Sequence, residues 1–176
     1  MKLPEDLADL DPQAPTRIDM KLTHYIHEKL IFTIEAENRD TTLKQAILEI
    51  QSRGFLADEP LFLDAVMARE NMVSTAIGSG VAIPHARLNS CKNFFISIVI
   101  LKKGIDWNAL DHMPVNLLLI IAGPNDKQTE YLHLLSQLTL FLRDSNKSKA
   151  ILQATNSQEV LDLFESEKPP ETSLAI

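Results

Sequence analysis

The sequence predicts an α/β fold, with strands and helices layered in a single domain. Three observations predict it. Two apolar, β-branched runs, 95–101 and 115–121, have the composition of strands buried on both faces. Segments of helical periodicity lie before and after them. The length, 176 residues, suits one domain at roughly 150 residues each.

Taken in order, residues 1–17 carry three prolines and four acidic side chains and little to bury, so they read as a mobile acidic tail. Residues 27–34 read as a strand. Residues 42–53 read as a helix, because Leu43, Ala46, Ile47 and Ile50 fall at i, i+3, i+4 and i+7. Thr42 with Gln45 has the form of a capping box, and Gly54 stands where a helix stops. A second helix covers 60–70, with Asp58 or Glu59 as cap and Pro60 in the first turn. Residues 74–85 hold two glycines, small side chains and a short β-branched run, which reads as turn and short strands. After the two apolar runs, Gly123-Pro124-Asn125-Asp126 breaks the chain before a helix at 129–143. That helix is apolar nearly all round, so it is expected to pack against the sheet. Short helices at 148–153 and 158–165 follow, the second capped by Ser157. Pro169-Pro170 lies in a terminus, 168–176, that reads as frayed.

Composition excludes several classes. Seventeen basic against twenty-four acidic side chains give a formal charge of −7, the wrong sign for nucleic acid. One cysteine, Cys91, excludes a disulfide framework and a Cys-rich metal site. No apolar run is long enough to cross a bilayer, and residues 1–10 lack the form of a secretion signal. The expectation is a cytoplasmic protein with no direct membrane insertion.

Familiar motifs fail. Gly78-x-Gly80 lacks the third glycine and the following helix of a dinucleotide loop, since Pro84 intrudes. There is no phosphate-binding P-loop and no nucleophile elbow. His24 and His27 lie three apart, but a metal needs further ligands, and a solvated pair is the simpler reading. No metal or cofactor is expected.

Two other histidines carry more chemistry. His85 follows Pro84 at the end of the glycine segment, a stiff presentation of one imidazole. His133 lies within the most apolar helix, where a buried imidazole must find a partner or lose solvation. Each alone reads equally as a loop or a core histidine. A neutral imidazole is nucleophilic at physiological pH and can take a phosphoryl group and hand it on. Such a site needs in-line positioning and donors for three oxygens. Arg69, at the end of the second helix, is a candidate donor, although it also reads as a cation that compensates the helix dipole. Backbone N–H groups near Gly78–Gly80 are candidates for an anion-binding nest.

Residues 69–88 read Arg-Glu-Asn-Met-Val-Ser-Thr-Ala-Ile-Gly-Ser-Gly-Val-Ala-Ile-Pro-His-Ala-Arg-Leu. They resemble the signature of the mannitol/fructose-type enzyme IIA domains, including the nitrogen-regulatory IIA, of the bacterial phosphoenolpyruvate-dependent phosphotransferase system. The resemblance continues through Trp107-x-x-Leu110-Asp111-x-x-Pro114-Val115, 117–122 and Tyr131-Leu132-His133-Leu134-Leu135-Ser136. It covers about residues 28–165, in several spaced blocks in the right order.

The resemblance implies a mixed β-sheet flanked by helices, with a IIA-type phosphoryl-carrier domain over 18–167. It implies that His85 carries the phosphoryl group, that His133 faces it, and that Arg69 binds the phosphoryl oxygens. The two rings are then expected close enough to share a phosphoryl group or a water. It implies an HPr-like phosphocarrier as donor, and a IIB component or a regulatory target protein as the next partner. Cys91 is not that next acceptor and is expected to be an inert thiol. Ser79 departs from the asparagine or other polar residue that many relatives place between the glycines. No IIB, IIC or HPr segment is read in the sequence, so a stand-alone carrier of regulatory, nitrogen type is the first reading. A sugar-uptake IIA donating to a separate IIB is the second. A binding module that keeps the fold and acts by contact alone is the third.

Overall fold

In the computed structural model, which describes residues 21–166, the chain enters through one 3₁₀ turn, Leu22–Tyr25, and runs into β1 (Ile26–Ile34). Next come α1 (Arg39–Ser52), α2 (Glu59–Met72) and the short strands β2 (Ala76–Gly78), β3 (Val81–Ala82) and β4 (His85–Arg87). The long strands β5 (Phe95–Ile105) and β6 (Val115–Gly123) follow, then α3 (Gln128–Arg143), α4 (Ser145–Gln153) and α5 (Ser157–Glu165). The acidic tail expected at 1–17 and the frayed end at 168–176 lie outside the described residues.

One mixed sheet forms, in the order β1-β5-β6-β3-β2, with β4 also beside β6. β5 and β6 are antiparallel, while β1 runs parallel to β5, and β3 and β4 parallel to β6. Alternate residues of β6 sort into two cores, because successive side chains on a strand point to opposite faces. Leu118, Ile120 and Ala122 pack with Leu43, Ile47 and Phe62 of α1 and α2. Leu117, Leu119 and Ile121 pack with Leu134, Leu138 and Phe141 of α3. This is the two-faced burial predicted for both apolar runs.

Local signals chose the elements, but not every end. Asn38, not Thr42, caps α1: its side chain accepts from Thr41 N–H (2.9 Å) and Thr41 Oγ1 accepts from Asn38 N–H (3.2 Å). Thr42 falls inside the first turn and donates its hydroxyl to the Asn38 carbonyl (2.7 Å). Asn156, not Ser157, caps α5, accepting from Glu159 N–H (3.0 Å). In both places an asparagine one step or one turn earlier forms the cap and the helix gains length. Asp58 caps α2 as predicted. The expected packing of α3 holds on one side only. It buries Tyr131, Leu134, Leu138, Phe141 and Leu142 but exposes Leu132 and Leu140, since an outer-layer helix has one covered side. Among the described residues no helix is long and apolar enough to cross a membrane.

Gly123, the last residue of β6, is a packing position. A Cβ built there would fall 1.9 Å from Phe94 Cδ1 and 2.7 Å from its Cγ. Both atoms are near the root of a buried ring rather than at a flexible tip. Gly123→Ala is therefore expected to destabilise the fold by about 1–3 kcal/mol, read as a lower urea midpoint at unchanged slope. A midpoint equal to the parent's would show that Phe94 has room to move.

Candidate functional site

The site is built where β3 gives way to β4. Gly78, Ser79 and Gly80 have φ of 93°, 54° and 77°, three left-handed residues in succession that reverse the chain between β2 and β3. Glycine frees two of them from strain. Ser79 is held there by Asp111, whose Oδ2 accepts its N–H (2.8 Å) while Oδ1 accepts Met113 N–H (3.1 Å). These hydrogen bonds hold the Asp111 carboxyl below the usual carboxylate range. The nest expected near Gly78–Gly80 is thus filled by the chain's own carboxylate, so Ser79 N–H is not available to a phosphate. The turn's use is structural: the Gly80 carbonyl accepts Asn116 N–H (2.9 Å) and Leu117 N–H (3.1 Å), which docks β3 on β6.

β3 and β4 then run along the same edge of β6, Ala82 beside Leu118 and His85 beside Ile121. Pro84 between them has no N–H to give, and its carbonyl accepts Ile121 N–H (3.0 Å). His85 therefore stands near the carboxyl end of β6, half-buried, with its backbone fixed on both sides.

Its ring is fixed too. His85 Nδ1–H donates to the Ile83 carbonyl (2.8 Å), and Arg69 Nε–H donates to His85 Nε2 (3.1 Å). A carbonyl only accepts and a guanidinium only donates, so these partners assign the neutral tautomer: proton on Nδ1, lone pair on Nε2. Arg69 Nη1 also donates to the Val73 carbonyl (2.8 Å), which ties the guanidinium to the site. Burial pushes the His85 pKa below its ordinary value, and the Arg69 and Arg87 charges push the same way, against the Ile83 carbonyl and Glu70. A reaction that uses the neutral ring is therefore expected to keep more than half of its rate at pH 6.5, the ordinary histidine value. Half-loss should come only below that, where the depressed group gains its proton. A stopped-time pH profile of His85 labelling checks this; half-loss above the ordinary value would contradict it.

On α3, the ring that meets His85 is Tyr131, with centroids 5.9 Å apart. Phe94 stacks on Tyr131 at 6.2 Å and 19°, and the Arg87 guanidinium lies 4.8 Å from the Tyr131 centroid. Burial raises the Tyr131 phenol pKa. His133 is not the buried histidine the apolar helix suggested. It is exposed, and among the described residues no hydrogen bond or ring contact joins it to His85. The reason is helical phase: at ~100° per residue His133 stands about 200° from Tyr131, off the buried stripe. The structure thus brings Arg69 and His85 together and places Tyr131 beside them.

Tyr131 and Arg87 are neighbours of His85 that sequence reasoning missed. Their signals were present. Arg87 is two residues after His85 on a strand, hence on its face, and Tyr131 shares the buried spacing of Leu134 and Leu138. Elsewhere, His24 lies in the 3₁₀ turn and His27 packs its ring against Phe55 at 5.2 Å. Cys91 is half-buried, and burial pushes its thiol pKa up, which disfavours the reactive thiolate.

Known proteins resemble this chain in sequence and in fold. The family described as "Phosphoenolpyruvate-dependent sugar phosphotransferase system, EIIA 2" matches residues 24–167. The fructose-specific EIIABC component of Bacillus subtilis is 30% identical over 146 residues, 82% of this chain but only 23% of its own length. A nitrogen regulatory protein of Pseudomonas aeruginosa is 36% identical over 85 residues, 48% of this chain and 55% of its own. The chain thus spans about a quarter to a half of these relatives. The crystal structure of the nitrogen regulatory protein IIA-Ntr from Neisseria meningitidis has the same fold, with a TM-score of 0.75 at 23% identity, covering 81% of this chain and 98% of that one. The family match takes in 144 of the 176 residues (24 to 167 inclusive), the His85 turn and α3 among them. The chain therefore belongs to the EIIA 2 family of the phosphoenolpyruvate-dependent sugar phosphotransferase system.

Proposed function

We propose that this IIA domain accepts a phosphoryl group on His85 Nε2 from the phosphohistidine of an HPr-like carrier and passes it to a second protein. The observation that carries this reading is the paired hydrogen bonding of the His85 ring, Nδ1–H on the Ile83 carbonyl and Nε2 facing Arg69. The lone pair on Nε2 attacks phosphorus as the donor's N–P bond breaks, and the donor imidazole leaves with that bond's electrons. The His85 proton stays on Nδ1, so the charge that develops on the ring lies against a carbonyl oxygen. Arg69 Nε–H moves from Nε2 to the phosphoryl oxygens, while the Nη1 bond to Val73 keeps the guanidinium within reach. His133, exposed on α3, is assigned a lesser part, as a further donor to those oxygens or to the docked partner.

The site is also suited to a protein donor. Met72, Val73, Ile77, Leu110 and Met113 are exposed apolar side chains. The Val73 carbonyl holds Arg69, so exposed Met72 and Val73 lie beside the site. Exposed apolar side chains next to a small polar centre fit protein docking better than capture of a free anion.

Of the two downstream roles, the regulatory one is our first reading, in line with the nitrogen regulatory relatives. Donation to a separate IIB is the second, supported by the match to a fructose-specific component. Incubation with phosphoenolpyruvate, enzyme I and an HPr-type carrier tests the shared step: the intact mass should rise by one acid-labile, base-stable phosphoryl group. If no cognate carrier labels the protein, the contact-only module becomes the better account. Pull-downs of the labelled and unlabelled forms then separate a IIB acceptor, which strips the label, from a regulatory target, which binds one form and leaves it intact.

A further inference from the structure

Glu70 has no part in the chemistry above, yet its placement is costly. It is 2% exposed and lies in the last turn of α2, where burial and the helix dipole both oppose negative charge. Among the described residues it forms no ion pair. Its two oxygens accept from one residue instead: Thr75 N–H (2.8 Å) and Thr75 Oγ1–H (2.5 Å).

Thr75 leads to the site. Its carbonyl accepts Ile83 N–H (3.1 Å), and the Ile83 carbonyl accepts His85 Nδ1–H (2.8 Å). Glu70, Thr75, Ile83 and His85 therefore form one continuous chain of hydrogen bonds, from a buried carboxyl to the ring nitrogen opposite the nucleophile. The links act by position, since the N–H and C=O of Thr75 belong to different peptide groups, as do those of Ile83. The segment between α2 and β2 is otherwise held by Ser74, whose hydroxyl donates to the Trp107 carbonyl (2.7 Å). Pro84 restricts Ile83 to extended backbone, so fixing the Ile83 N–H also fixes where its carbonyl points.

The geometry points to Glu70 as a positioning residue that, through Thr75 and Ile83, keeps the His85 proton on Nδ1 and so reserves Nε2 for the phosphoryl group. This assignment rests on the phosphoryl-acceptor reading for its purpose, but its structural content does not. Without Glu70, Thr75 loses both bonds that fix it, while Val73 and Ser74 keep theirs to Arg69 and Trp107. The Ile83 carbonyl is then no longer held against Nδ1, and the Nδ1–H tautomer of His85, favoured then by the Arg69 donor at Nε2 alone, loses part of its preference. The same logic makes a buried carboxylate essential to the histidine of hydrolytic triads, although there it touches the ring directly.

The test reads the ring nitrogens of the unphosphorylated protein by ¹⁵N NMR, at a pH where His85 is neutral, alongside the labelling rate. The parent should show a single tautomer, protonated on Nδ1. Glu70→Ala should show both tautomers and label about tenfold more slowly. Glu70→Gln, whose amide oxygen still accepts Thr75 N–H, should recover most of the single tautomer. Should Glu70→Ala fail to fold, Glu70→Leu replaces it: both acceptors for Thr75 are gone, an apolar side chain fills the buried space, and a second tautomer should appear. If the folded Glu70→Ala, or Glu70→Leu in its place, keeps His85 wholly on Nδ1–H, the assignment is wrong, whatever happens to the labelling rate. If the tautomers mix but the parent is never labelled by any carrier, the positioning role stands and the phosphoryl-acceptor reading fails.

Discussion

His85→Ala is expected to end phosphoryl acceptance altogether: with phosphoenolpyruvate, enzyme I and the cognate carrier present, its mass should not change while the parent should gain one phosphoryl group. The expectation follows from the lone pair. Nε2 of His85 is the one ring nitrogen of the site whose hydrogen-bond partner, Arg69, is a donor that a phosphoryl group can displace. Nδ1 is committed to the Ile83 carbonyl. The substitution also removes a half-buried ring beside Tyr131, so circular dichroism and a melting curve should accompany the assay. The asparagine or glutamine variant serves as a second null, since neither amide is a phosphoryl acceptor of this kind. A His85→Ala protein that still takes up a stoichiometric phosphoryl group would place the nucleophile elsewhere, with exposed His133 the next residue to replace.

Arg69→Ala should keep the nucleophile but lose most of the rate. Removing one preorganised donor from developing charge typically costs about 2.7–4 kcal/mol, or about 10²–10³ in rate. The loss should fall on the transfer step rather than on carrier binding, because Arg69 faces the ring while the apolar residues around it are free to dock the carrier. Single-turnover labelling at saturating carrier separates the two. Arg69→Lys should recover only part of the rate, since an ammonium cannot hold the Val73 carbonyl and the phosphoryl oxygens through one planar fork. His133→Ala should cost less than Arg69→Ala, because His133 touches neither His85 nor Arg69. Equal losses for the two would give His133 as large a part on the phosphoryl oxygens as Arg69. A parental rate for Arg69→Ala would remove the guanidinium from the mechanism.

These expectations rest unequally on sequence and on structure. The sequence by itself determined the α/β class, the number and order of the long elements, and the singular presentation of His85. Those are local or periodic properties: alternation on a strand, 3.6-residue spacing on a helix, and a proline beside two glycines. Helix starts were blurred because Asn38 competes with Thr42, and Asn156 with Ser157, for one role that either side chain can fill.

Only the tertiary structure decided what surrounds His85. Which side of α3 is covered depends on the sheet beneath it, so the exposure of His133 and the contact of Tyr131 could not follow from a helix with leucines on every side. Asp111 fills the nest at Ser79 from 32 residues away, and Arg69 reaches His85 across 16. The tautomer of His85 depends on a carbonyl two residues back, which is held in turn through Thr75 by Glu70. A hydrogen bond is short and directional, so its partners are set by where the folded backbone places them, whereas burial on a strand or helix repeats along the chain and can be read there.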